Sequence, residues 1–193
     1  MEFVAFVIAI AVAYQAMKGY KFSKERTLLY LNLSFVLIGT GLLVDALSNL
    51  IVLLARAQRG LLYVFGLGYT INFLAQLLAY GLLVFAYLYQ TRSMDTTVAL
   101  AALPVTFIQR NAFAELILIF LLVYVAIQTG MNYSVNKNVN ALLVFGAFAS
   151  LAVAHLFFLL FVFAPIFFPL AYIAQLFGFL LLLAMLLRVN QPV

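Results

Sequence analysis

The sequence predicts an all-α integral membrane protein, a polytopic bundle of seven transmembrane helices built from two three-helix repeats. Three observations predict it. Hydrophobic residues make up 68% of the 193 positions and charged residues only 8%, against roughly 45–50% and 25% in soluble domains. The apolar residues gather into seven runs, most of them separated by polar punctuation. The first three runs also align with the last three. This balance excludes a soluble globular protein, a disordered tail and a nucleic-acid-binding module. The net charge of +5 is small and lies in expected loops, so it reads as topology rather than as a surface for phosphates.

A spanning helix needs about 20 apolar residues to cross roughly 30 Å of hydrocarbon. The first run, Phe3 to Met17, lacks a basic leader and a small-residue cleavage site, and reads as a retained span rather than a signal peptide. A basic loop, Lys18 to Thr27, separates it from Leu28 to Leu54. The turn Arg56 to Gly60 leads into Leu61 to Tyr89, and polar Gln90 to Asp95 follows. The fourth run, Thr96 to Ile108, is short and contains Pro104. It crosses as a seventh span or lies in the interface, leaving six. Charge favours seven with the N-terminus outside and the C-terminus cytoplasmic. Lys18, Lys21, Lys24, Arg26, Arg92, Lys137 and Arg188 then lie inside, against Arg56, Arg59 and Arg110 outside. Ala112 to Thr129 is the fifth run, and an asparagine-rich loop, Met131 to Asn138, precedes Val139 to Ala164. Pro165 and Pro169 bracket the turn before Ile166 to Leu187, where proline should end a helix.

A shift of 110 residues places the first two runs on the fifth and sixth without a gap. Tyr14 meets Tyr124, Phe35 meets Phe145, and Asp45 meets His155. A shift of 99 aligns Leu74-Ala75-Gln76-Leu77 with Ile173-Ala174-Gln175-Leu176. The chain then divides into a first repeat (1–92), a short linker span (93–111) and a second repeat (112–193), together one integral membrane domain. Polar residues near the surface between the halves are the first candidates for a site.

Ionisable residues within apolar runs cost about 2.5–3.5 kcal/mol even on lenient scales, so their default reading is functional. Asp45 lies past the middle of its run, with Asn49 one turn later on the same face. His155 occupies the equivalent repeat position. The two could face each other as a proton-exchanging pair, or form a structural interhelical bond. Gln76 and Gln175, as repeat equivalents, could bond each other or a shared ligand. Asp45, Asn49, Gln76, His155 and Gln175 therefore make the candidate intramembrane site. Glu115 lies near Arg110 at the start of its run and reads as an interfacial ion pair or a snorkelling end residue. Asn32 and Asn72 receive no role. The stripes Ala5–Ala9–Ala13 and Gly146–Ser150–Ala154 suit close helix packing. Tyr20, Phe22, Tyr63 and Tyr133 fall where aromatic belts form. The dense aromatics from Phe157 to Phe168 suit lipid or another subunit.

Several chemistries have no residues to carry them. The chain has no cysteine and one histidine, so disulfides, thiolate chemistry and bis-histidine haem are excluded within it. No phosphate loop, no zinc-spaced histidine pair and no Ser/His/Asp set that could assemble outside lipid occurs, and the last span holds no lysine for a retinal Schiff base. No catalytic residue, metal site or cofactor is expected.

Each half combines a helix, a short basic loop (Tyr20-Lys21-Phe22-Ser23-Lys24-Glu25-Arg26), a long helix rich in small residues and a third helix with a central glutamine. This unit resembles three-span membrane modules of uncharacterised archaeal proteins, some attached to regulatory or sensor domains. The resemblance covers most of the chain as two copies. The three-plus-one-plus-three layout resembles the SWEET and PQ-loop sugar carriers in layout only, since neither Gln76 nor Gln175 follows a proline.

Two functions follow. The first is a non-enzymatic accessory subunit or sensor-like module. It would act through helix-face contacts with a membrane partner, with lipid around it and other subunits or its own copies as neighbours. The alternative is a small-solute or proton-coupled carrier with a midplane site between the repeats.

Overall fold

The structure, a computed structural model, describes residues 1–54, 61–90 and 112–190, with side chains apart from those of 61–65 and 89–90. It contains α1 (Glu2–Ser23), α2 (Arg26–Leu54), α3 (Leu61–Gln90), α4 (Ala112–Asn136), α5 (Val139–Leu160) and α6 (Phe167–Val189). All six are long and apolar enough to cross a membrane. The chain is a multi-pass helical membrane protein.

Six spans among the described residues correct the expected seven. The extra span expected at Thr96–Ile108 lies outside the described residues. Two loops expected between runs are also corrected. α1 continues through Lys18 and Lys21 to Ser23, and α4 continues through the asparagine-rich stretch to Asn136. Polar residues that cannot sit in hydrocarbon can still extend a helix into the headgroup region, where long side chains reach water.

Only two residues separate each of these helix pairs. Lys24 and Lys137 take left-handed backbone conformations, with φ 59° and 47°. The Lys24 N–H donates to the Tyr20 carbonyl and the Lys137 N–H to the Tyr133 carbonyl, closing the last turn of each helix. Asn138 then caps α5 by accepting from the Ala141 N–H at 2.6 Å. α5 ends at Leu160, short of the expected Ala164, and Pro165 lies in the turn. Pro169 falls in the first turn of α6, where its missing donor has no intrahelical partner to lose.

The six helices form a closed ring in chain order, with α6 returning to α1. The neighbouring pairs α1–α2, α2–α3, α4–α5 and α5–α6 are antiparallel. α1 and α6 are parallel: Glu2 meets Tyr172 at one end and Gln15 meets Asn190 at the other. Thus α1, α3, α4 and α6 run one way, and α2 and α5 the other. Side chains fill the ring's interior, where Phe35 of α2 meets Phe179 of α6 edge-on at 5.3 Å between ring centres.

Small residues let the backbones approach. Ala5, Ala9, Ala13 and Ala16 are buried on α1, while Phe3, Val7 and Tyr14 point outward. Large apolar residues lose nothing by facing lipid, so close packing rather than hydrophobicity selects the inner face. A Cβ on Gly41 would meet the Ala75 Cβ at 2.8 Å and the Asn72 Oδ1 at 2.9 Å, so glycine lets α2 press against α3. The Gly146–Ser150–Ala154 stripe is only partly interior. Ala154 is buried, but Gly146 and Ser150 are half-exposed, and Ala147 and Leu151 pack inward instead.

The ring order does not establish the expected symmetry of two triplets. The two matching lysine turns lie 113 residues apart, not 110, so the ungapped alignment misses them. The residues it matched also do not meet as it predicted.

Candidate functional site

Ten polar or ionisable side chains are buried among the described residues. Some serve only to join helices. The Asn32 Nδ2 donates to the Ala13 carbonyl, and the Ser34 hydroxyl to the Ala79 carbonyl. These bonds tie α2 to α1 and α3.

The remainder contains two groups joined by one face of α3. Asn72, Gln76 and Tyr80 recur at four-residue spacing, so they stack along one side of that helix. The Asn72 Nδ2 donates to the Asp45 Oδ2 at 3.0 Å, and the Gln76 Nε2 donates to the Asn72 Oδ1 at 3.0 Å. One turn further, the Tyr80 hydroxyl lies 3.3 Å from the His155 Nε2. The other imidazole nitrogen, Nδ1, lies 2.8 Å from the Glu115 Oε2. Glu115 and His155 are each only 3% exposed and Tyr80 is completely buried. The Tyr80 and His155 rings also meet edge-on. This group crosses the seam between α3 and the α4–α5 pair.

The arrangement can hold and exchange a proton at His155 and Glu115. With Glu115 ionised, the imidazole donates from Nδ1 and can accept the Tyr80 hydroxyl proton at Nε2. Asp45 supplies a second carboxylate, ordered by an amide donor. Among the described residues no lysine or arginine is buried, and no group of three metal-ligating side chains occurs.

The structure distributes the expected site residues differently from the sequence reading. Asp45 and Gln76 share Asn72, which had no assigned role. His155 bonds Glu115 and Tyr80, so the matched Asp45–His155 pair is replaced by two separate groups. Glu115, expected at the interface beside Arg110, is buried in the bundle; Arg110 lies outside the described residues. Asn49 leaves the site altogether. Its Nδ2 donates to the Glu2 Oε2 at 2.8 Å, while the Tyr172 hydroxyl donates to the Oε1 at 2.7 Å. This clasp joins α1, α2 and α6 at the end where the chain begins. Gln175 is buried but bonds neither Gln76 nor any other described side chain.

Tyr80 is the functional candidate that sequence reasoning missed. Its signal was present as the third member of a polar i, i+4, i+8 row on α3, but tyrosine reads as an ordinary apolar residue in a span. The aromatics between Phe157 and Phe168 are not a bare face. Phe157 stacks on Phe167, and Phe158 packs against Phe168 and Tyr172. Phe163 alone of these phenylalanines is more than half exposed, at 81%.

No protein-family model, no curated protein and no solved structure matches the chain.

Proposed function

We propose that the protein is a proton-coupled carrier of a small solute, working through the polar groups inside its helical ring. The Glu115–His155 pair carries this reading: two proton-exchanging side chains, bonded at 2.8 Å and buried within spans. Such groups are costly in hydrocarbon and mark proton and solute paths. An accessory module acting through its lipid-facing surface would have no use for them, and the polar row on α3 points inward instead. Asp45, held by Asn72, is the second carboxylate that the path would use.

Orientation follows from charge. Lys24, Lys137 and Arg188 lie at one end of the bundle, and the positive-inside tendency places that end in the cytoplasm. The Glu2 clasp then lies on the outer side.

The test is proton flux in proteoliposomes loaded with a pH-sensitive dye. The wild type should acidify the lumen after an external acid step faster than empty vesicles do. Glu115→Gln and His155→Phe should each remove that excess. A folded Glu115→Gln protein with undiminished flux would refute the assignment.

A further inference from the structure

We infer that Tyr80 is the positioning residue for proton uptake at His155, because its hydroxyl gives Nε2 a partner in both charge states of the imidazole. The inference rests on the carrier reading above and adds a residue to its proton site.

The His155 ring is held from three helices. Its Nδ1 lies 2.8 Å from the Glu115 Oε2 of α4, and its Nε2 lies 3.3 Å from the Tyr80 hydroxyl of α3. The Tyr80 ring meets the imidazole edge-on, at 5.7 Å between centres and 86° between planes. Phe158, on the same helix as His155, meets it at 5.9 Å and packs against Tyr172 of α6 at 5.2 Å. The titratable groups set against the imidazole are therefore Glu115 and Tyr80, and Tyr172 reaches it through Phe158.

An ionised carboxylate accepts hydrogen bonds and donates none, so Glu115 keeps the proton of the neutral ring on Nδ1. Nε2 is then the nitrogen with a free lone pair, and Tyr80 donates to it. When a proton carried by the protein adds to Nε2, the ring becomes imidazolium and its charge balances the Glu115 carboxylate. Nε2 has then changed from acceptor to donor. A carbonyl would suit only the charged ring, and an ammonium only the neutral one. A hydroxyl suits both, because it turns about its C–O bond and its oxygen accepts the new N–H. The ring stays in place between Tyr80 and Phe158, and release of the proton reverses the turn.

The charged state depends on Tyr80 more than the neutral state does. Hydrogen bonds from an ionised donor are roughly twice as strong as neutral ones. His155 is 3% exposed and Tyr80 is completely buried, so no bulk water replaces the hydroxyl when it is removed.

His155 is the only histidine in the chain, so its nitrogen-15 spectrum reports a single ring. The experiment records that spectrum in lipid over a range of pH, together with flux in the proteoliposomes used for proton transport. Tyr80→Phe should need about tenfold more protons than the wild type, both to charge the ring and to reach half-maximal flux. The neutral ring should keep its proton on Nδ1 in both proteins. A tyrosine that only fills space gives another pattern: the variant melts lower and its maximal flux falls, but the ring charges as in the wild type. That pattern overturns the inference. If the variant does not fold, the wild type alone decides. The through-space signal between Nε2 and a carbon-13 labelled tyrosine ring should be present with the imidazole neutral and with it charged, and its loss in either state overturns the inference. Wild-type flux that Tyr80→Phe leaves unaltered overturns the inference and leaves the carrier reading standing. Absence of wild-type flux overturns the carrier reading, and the inference with it.

Discussion

Replacing His155 by leucine tests whether the Glu115–His155 pair acts as an energetic unit. The substitution takes the imidazole from a carboxylate that is 3% exposed and bonded to it at 2.8 Å. Breaking a buried pair by removing one partner costs about 3–5 kcal/mol, whereas replacing both partners by apolar groups is often close to neutral. Loss of the contact with the Tyr80 hydroxyl adds about 1 kcal/mol. His155→Leu should therefore be destabilised by about 4–6 kcal/mol. For a chain of this size each kcal/mol lowers the melting temperature by about 2–4 °C. Glu115→Leu should be destabilised less, by about 1–3 kcal/mol, because an imidazole can remain neutral. The double variant Glu115→Leu/His155→Leu should recover most of the loss. The assay is reversible unfolding in mixed micelles by titration with a denaturing detergent, combined in a double-mutant cycle. A coupling energy of about 2 kcal/mol or more is expected. Additivity within about 0.5 kcal/mol would show that the two side chains are independent, and would refute the reasoning.

Asn72→Leu removes the donor to the Asp45 carboxylate and the acceptor for Gln76 together, and should cost at least about 1.5–3 kcal/mol in the same unfolding assay. Gln76→Leu removes only one of these bonds and should cost less. Gly41→Ala drives a methyl group into Ala75 and Asn72, and should lower stability by about 1–3 kcal/mol. Gly146→Ala meets nothing closer than 3.4 Å and should be tolerated. The chain contains no cysteine, so cysteine pairs can test helix direction directly. Gln15→Cys with Asn190→Cys should join through a short bifunctional reagent, and Glu2→Cys with Asn190→Cys should not, because α1 and α6 are parallel. Tyr172→Phe should loosen the clasp at Glu2 and cost about 1 kcal/mol, measured as a fall in melting temperature.

The sequence by itself determined that this is a helical membrane protein, and within about two residues where its six described helices begin. Apolar length is a local property, set by bilayer thickness, and it survives in the composition of each run. Asp45 and His155 were legible as candidates for the same reason: the cost of an ionisable group in hydrocarbon attaches to the residue whatever its neighbours. Helix ends in the headgroup region were less legible. Lys18, Lys21 and the asparagines before Asn136 tolerate both helix and loop, and only the left-handed turns at Lys24 and Lys137 fix the boundaries. The faces of the helices were not legible at all. In lipid both sides of a span are apolar, so Ala5 and Phe3 differ in packing, not in hydrophobicity, and periodicity carries no signal.

Tertiary structure alone decided the partners. Sequence alignment paired Asp45 with His155 and Gln76 with Gln175, but a hydrogen bond depends on which helices touch and at what depth. Contact between α2 and α3 gave Asp45 to Asn72, and contact between α4 and α5 gave His155 to Glu115. The closing of α6 on α1 sent Asn49 to a clasp with Glu2 and Tyr172. Gln175 is buried on α6 without a hydrogen bond to Gln76, a placement that no reading of α6 alone contains.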